Sequence, residues 1–218
     1  IADVAIEVVH GLPLHSGLGS GTQLAAAVAF GLEHFTQICS AGMPSTSGHV
    51  SEDHISLTRL IHLSGRGKRS GIGLYGFLNG GLILDEGYPA DPSDQQSRSA
   101  NLHPRQIQAA MCRLNPAWRI VLVIPDGSPP VWGDLESDLM DRASRQPNPH
   151  RLRMLDLAQR AIQLGSAEDG FEPFTAAVAE FVQFAGRLFS ICQAGIYNGE
   201  AVRCAVELAQ HVGLRAVG

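Results

Sequence analysis

Positive charge is scarce in this chain: 16 Lys and Arg stand against 21 Asp and Glu in 218 residues, a formal net charge of −5. A nucleic-acid binder spreads a basic footprint over a whole face, which this balance does not supply, so no nucleic-acid partner is expected. No apolar run reaches the roughly 20 residues that cross a bilayer and no leader peptide is visible, so no membrane partner and a cytoplasmic location are expected. The four cysteines, Cys39, Cys112, Cys192 and Cys204, form no C-x-x-C pair, and reduced intracellular thiols are the simplest expectation. H-E-x-x-H is absent, and the nine histidines show no ligand spacing: His10 and His15 straddle a proline, and His54 and His62 lie eight residues apart. A histidine metal site is therefore not expected. G-x-S-x-G is absent too, which leaves a serine hydrolase without support. There is no internal repeat.

What is present is apolar material for a proper core, 44% of residues with only 17% charged, and two glycine-rich loops. The first is His15-Ser16-Gly17-Leu18-Gly19-Ser20-Gly21-Thr22-Gln23-Leu24. Residues 4–9 before it, Val-Ala-Ile-Glu-Val-Val, predict a strand that Pro13 stops, since proline cannot donate to a ladder. An alanine-rich helix follows, with Ser20 or Thr22 as its expected cap. The first N–H groups of such a helix have no partner inside it, and the helix dipole adds to them, so an anion suits the loop. Glycines at 17, 19 and 21 let a phosphate approach the backbone closely. The dinucleotide fingerprint needs G-x-G-x-x-G with an acidic residue about twenty positions on, and the Walker loop needs a lysine after its last glycine; neither is here. A tight turn with glycines for packing alone is the plainer alternative.

The second loop is Ser64-Gly65-Arg66-Gly67-Lys68-Arg69-Ser70-Gly71-Ile72-Gly73. Guanidinium and ammonium groups bind phosphate oxygens well, and interleaved glycines bring the backbone close to a partner, which a merely solvated loop does not need. A helix started by Ser51, Glu52 and Asp53 and striped by Ile55, Leu57, Leu60, Ile61 and Leu63 is expected before it. A β-hairpin is expected after it, with residues 74–78 and 82–85 joined by Asn79-Gly80-Gly81. Residues 87–103, rich in Pro, Asp, Ser and Gln, read as an excursion or lobe boundary. Residues 118–125 read as a buried strand, and residues 150–164, 173–191 and 199–212 as helices. Asp134, Glu136 and Asp138 fall at an expected helix start, where they complement the dipole or hold magnesium. Residues 213–218 suggest another strand or glycine loop, and the chain is expected to be a fragment.

Residues 13–24 resemble the glycine-rich motif of the GHMP kinase superfamily, the galactokinase, homoserine, mevalonate and phosphomevalonate kinase group. Those kinases usually carry Gly-Leu-Gly-Ser-Ser-Ala, whereas Gly17-Leu18-Gly19-Ser20-Gly21-Thr22-Gln23 is similar to the β-ribofuranosylaminobenzene 5′-phosphate synthase branch. Residues 65–73, then Gly80-Gly81 and Asp85-Glu86-Gly87, and further on residues 118–125, Gly133 with Glu136, Gly186-Arg187-Leu188-Phe189 and Gly195-Ile196-Tyr197, are similar to it as well. The kinases often place a catalytic aspartate in Ser-Gly-x-Asp, and Gly73 stands at the matching position here. Without a carboxylate to activate an acceptor hydroxyl, phosphoryl transfer is disfavoured. In that branch a glycine-serine-tryptophan motif closes the site, and Val217-Gly218 would be its first residues.

The resemblance implies an α+β, GHMP-kinase-like fold of two lobes: residues 1–100 with a mixed sheet, the phosphate-binding loop and its helix, and residues 101–218, helix-rich and truncated. It implies a pentosyltransferase that joins phosphoribosyl pyrophosphate to 4-aminobenzoate or 4-hydroxybenzoate, expelling carbon dioxide and pyrophosphate, for methanopterin-type cofactor synthesis. Ser16, Gly17, Leu18, Gly19, Ser20, Gly21, Thr22 and Gln23 would bind phosphate, Arg66, Lys68, Arg69 and Ser70 would serve catalysis, and His15, Gly71 and Gly73 would meet substrate. Magnesium is expected with pyrophosphate, with Glu136 as its candidate ligand. The partners implied are small molecules, with room for a homodimer. The alternatives are an ATP-dependent small-molecule kinase of the same superfamily using Asp85 or Glu86 as base, and a non-catalytic binder of a phosphorylated ligand.

Overall fold

The computed structural model describes residues 4–11, 17–40, 55–67, 70–85, 109–125, 133–191, 193 and 195–216. It is a helix-rich mixture of α and β, with seven helices and one two-stranded sheet among those residues. The chain divides into two compact units, Ile1–Gly80 with Asp85–Ala109, and Gly81–Leu84 with Ala110–Gly218.

In the first unit α1 (Ser20–Ser40), α2 (Leu57–Ser64) and α3 (Ile72–Asn79) pack on one another. Their core is Ala26, Ala29, Ile55, Leu60, Ile61 and Leu74. Ala26 and Ala29 lie three apart on one face of α1, and their small side chains let the two short helices come close. Larger α1 side chains such as Leu24 and Phe35 are exposed, although Phe30 meets Phe77 of α3 edge-on at 6.0 Å. Ser56 caps α2 by accepting the Arg59 N–H at 3.2 Å. The expected start at Ser51, Glu52 and Asp53 lies outside the described residues. Gly65 ends the helix in the left-handed region, at φ +64°, with its N–H on the Ile61 carbonyl.

Three expectations need correction here. Neither Ser20 nor Thr22 caps α1: both lie inside it, and the Gly19 carbonyl accepts the N–H groups of Thr22 and Gln23. Residues 74–78 are not a hairpin strand, because they form α3; a short apolar run fits either period, and Ser70-Gly71 ahead of it acts as a helix start. Residues 4–9 form no strand, and Val9 is 74% exposed. β-branched residues suit a pleated surface, but a strand needs a ladder partner, and the described residues supply none.

In the second unit β1 (Leu82–Asp85, whose last residue groups with the first unit) pairs with β2 (Ala109–Cys112), a strand that the sequence reading missed. The helices are α4 (Gly133–Ser144), α5 (Arg151–Leu164), α6 (Phe171–Phe189) and α7 (Glu200–His211), the last three close to their expected bounds. α5 and α6 pack together, burying Leu157 and Ala161 of one and Phe174, Thr175 and Ala177 of the other. The Arg153 guanidinium bridges them to Glu180 at 2.7 and 2.9 Å, an exposed pair of small net value. Trp118 packs on α6, its ring 4.9 Å from Phe174 and 5.4 Å, edge-on, from Phe171. Residues 120–124 nevertheless form no strand, and Ile120 is 81% exposed, so the expected buried strand is absent. The described residues 213–216 form no strand either.

Gly81 lies at φ +81°, and a Cβ there would stand 2.5 Å from the Cys112 carbonyl oxygen. Backbone cannot yield as a flexible side chain does. Gly81→Ala is expected to destabilise the protein by about 3 kcal/mol, read as a fall in urea midpoint; an unchanged midpoint would show that β1 and β2 tolerate separation. The Cys112 thiol is pushed above its usual value by burial, and Cys39, Cys112 and Cys204 are all free. None of the described helices is long and apolar enough to cross a membrane.

Candidate functional site

The first unit brings the two glycine-rich loops together. Gly17 at φ +77° and Gly19 at φ +69° carry the chain into α1 through the left-handed region, which other residues rarely adopt. Nothing lies within 4 Å of a Cβ built on either one, so the loop's backbone faces open space. At the first turn of α1 the N–H groups of Ser20 and Gly21 have no intrahelical acceptor. A Cβ on Gly21 would lie 3.6 Å from Nη2 of Arg66. The glycine therefore leaves the guanidinium beside the helix start. Arg66 is exposed and makes no ion pair with a described carboxylate.

The second loop is held from three sides. Gly67, at φ +89°, lies over the core, where a Cβ would meet Leu74 Cδ1 at 2.9 Å and Ile61 Cγ1 at 3.4 Å. Gly73, in the first turn of α3, lies against the first turn of α1: a Cβ there would stand 2.6 Å from Thr22 Cγ2 and 3.2 Å from Thr22 Cβ. The Gln23 side-chain amide donates to the Gly73 carbonyl at 2.9 Å. At the start of α3, Ser70 Oγ accepts the Ile72 N–H at 3.2 Å and donates to Asp85 Oδ2 at 2.7 Å, while the Gly71 N–H donates to the same oxygen at 2.8 Å. Burial, and secondarily the Asp85 charge, pushes the Tyr75 phenol above its usual value. It stays a neutral hydroxyl at physiological pH.

Gly17, Leu18, Gly19, Ser20, Gly21, Thr22, Gln23, Arg66, Ser70, Gly71 and Gly73 thus lie on three adjoining segments of one unit. His15, Ser16, Lys68 and Arg69 lie outside the described residues, and Glu136 lies on α4 with its side chain outside them. Geometry separates roles that residue type had merged. The Thr22 methyl and Gln23 amide face Gly73, and the Ser70 hydroxyl serves the start of α3. Asp85 enters as a structural partner of the second loop, which sequence reading missed because it took α3 for a strand with no N-terminus to cap. Chemically, N–H groups without an intrahelical acceptor, a guanidinium with no described ion pair and glycine backbone are the kinds of donor that suit an anion. Among the described residues no three His, Cys, Asp or Glu side chains group to hold a metal ion.

Comparison with known proteins gives three similar curated relatives, each named beta-ribofuranosylphenol 5′-phosphate synthase. The protein of Archaeoglobus fulgidus is 27% identical over 215 residues, 98% of this chain and 62% of the relative. That of Methanothermobacter thermautotrophicus is 34% identical over 128 residues, 58% of this chain and 34% of the relative. That of Methanocaldococcus jannaschii is 29% identical over 145 residues, 64% and 38% respectively. The chain thus spans less than two thirds of the length of these relatives. No protein-family model matches it, and no solved structure matches it. The likeness read from residues 13–24 and 65–73 is borne out by relatives of this synthase type.

Proposed function

We propose that this chain carries the pyrophosphate-binding part of a pentosyltransferase that condenses phosphoribosyl pyrophosphate with 4-hydroxybenzoate or 4-aminobenzoate, within a GHMP-kinase-like two-lobed fold. The phenol in the relatives' name favours 4-hydroxybenzoate as acceptor, and methanopterin-type cofactor synthesis as the setting. The observation that carries the reading is the convergence of the two loops, with Arg66 beside Gly21 at the start of α1.

The chemistry suits such a site. The bond from ribose C1 to pyrophosphate oxygen breaks with its electron pair leaving on pyrophosphate, and C1 becomes oxocarbenium-like. Donors that hold the departing charge more tightly than the bound substrate lower the barrier. N–H groups of α1 and the Arg66 guanidinium are such donors; Lys68 and Arg69 add charge for the second phosphate, the 5′-phosphate or the benzoate carboxylate. The ring carbon bearing the carboxylate then bonds to C1. Carbon dioxide departs and leaves its bonding pair to restore the aromatic ring. No proton is removed from that carbon, so the transfer needs no carboxylate base. Gly73, packed under Thr22 where a kinase of the resembled group holds its aspartate, is consistent with that economy. Magnesium would arrive on the substrate's phosphates and neutralise part of their charge. The free thiols of Cys39, Cys112 and Cys204 suit a reducing cytoplasm.

The test is direct. The intact protein, given phosphoribosyl pyrophosphate and carboxyl-labelled 4-hydroxybenzoate, is expected to release labelled carbon dioxide and pyrophosphate in equal amounts. ATP consumption with phosphorylation of an alcohol, and no carbon dioxide, overturns the reading.

A further inference from the structure

We propose that Asp85 is the positioning residue of this anion site: its carboxylate holds Ser70 and Gly71, and through them keeps the basic loop in register with the glycine loop. The inference rests on the transferase reading for its catalytic consequence, but not for its effect on anion binding.

The starting point is a buried donor. Gly71 is buried, and its N–H donates to Asp85 Oδ2 at 2.8 Å. A buried N–H left unpaired carries a penalty well above the net value of an ordinary hydrogen bond, so this contact is not freely lost. The same oxygen accepts the Ser70 hydroxyl at 2.7 Å, and that hydroxyl accepts the Ile72 N–H at 3.2 Å. One carboxylate thereby fixes the end of the basic loop and the start of α3 together. Two residues further on, Gly73 is seated on Thr22 and bonded to Gln23 of α1. Arg66, at the other end of the same loop, reaches Gly21. The loop is thus anchored at its C-terminal end by Asp85 and α1, and presents its cation at the other end.

Charge alone predicts the opposite of positioning. A carboxylate near an anion site repels the anion, so removing it in any way strengthens binding. Positioning of Ser70 and Gly71 requires an acceptor oxygen at that place. Asparagine keeps an oxygen with two lone pairs for Ser70 and Gly71, whereas alanine keeps none.

The experiment compares the unaltered protein, Asp85→Asn and Asp85→Ala by calorimetric titration with inorganic pyrophosphate, with thermal unfolding recorded for each. Asp85→Ala is expected to weaken pyrophosphate binding on the order of tenfold, and Asp85→Asn to bind as tightly as the unaltered protein or tighter. Turnover with phosphoribosyl pyrophosphate should divide in the same way, with KM raised in Asp85→Ala and kcat retained in Asp85→Asn. Tighter binding by both variants overturns the proposal in favour of simple repulsion. Loss of kcat by about a thousandfold in Asp85→Asn overturns it in favour of a base. If Asp85→Ala does not fold, Ser70→Ala, which removes the Ser70 bond to Asp85, is expected to weaken binding by a smaller factor, and unchanged binding there overturns the proposal. Failure of the transferase reading is seen separately, as absence of carbon dioxide release by the unaltered protein.

Discussion

Gly73→Asp is expected to destabilise the protein by about 2–3 kcal/mol and to reduce pyrophosphate affinity by about a hundredfold. The space for a side chain is already taken, since a Cβ would stand 2.6 Å from Thr22 Cγ2. Thr22 is β-branched and sits in the first turn of α1, so its χ1 has few alternatives and the methyl cannot swing clear at low cost. Relief has to come from separating α1 and α3. That movement breaks the Gln23 bond to the Gly73 carbonyl and draws Arg66 away from Gly21. Aspartate is only slightly better than glycine inside a helix, which offsets little of the strain and none of the displacement. The added carboxylate also repels the proposed anion. Thermal unfolding and pyrophosphate titration check the two effects, and Thr22→Ala should return about 1–2 kcal/mol to the Gly73→Asp protein. A Gly73→Asp protein that melts and binds like the original would show that the two helices do not meet there.

Arg66→Ala is expected to leave the fold intact and to remove most of the activity. The side chain is exposed and makes no described ion pair, so its loss leaves no buried group unpaired. Its guanidinium lies beside Gly21 at the start of α1. A group that stabilises charge developing on a leaving group is worth about 10²–10³ in kcat when removed. Arg66→Lys keeps the charge but loses the planar fork, and should fall between. Unchanged unfolding, a hundredfold lower turnover and a weaker dependence of pyrophosphate binding on salt form the expected pattern. Full activity in Arg66→Ala would mean that the basic loop is surface.

Helices and strands differed in how far they could be read from residues. α5, α6 and α7 follow from apolar residues three and four apart over two or more turns, a signal that neighbours do not alter. α3 was read as a strand because eight residues, IGLYGFLN, are too few to show a period, and what makes them helical is the Ser70 and Asp85 arrangement at their start. Residues 4–9 and 120–124 have strand-forming composition and no described partner. β2, AAMC, has weak strand character and is a strand because β1 pairs with it. Pairing is a property of two segments, and composition reports on one.

The same division holds for the site. Gly17, Gly19 and Gly21 before an alanine-rich helix, and cations among glycines at residues 65–69, give two loops whose composition suits an anion, because backbone freedom, helix dipole and charge are local properties. Only the tertiary structure decided that Arg66 lies beside the first loop, that Thr22 and Gln23 lie on Gly73, and that Asp85 accepts from Ser70 and Gly71. These contacts join residues up to 51 positions apart, and their geometry depends on how closely Ala26 and Ala29 allow α2 and α3 to approach α1, a matter of packing between elements that no single stretch of sequence contains.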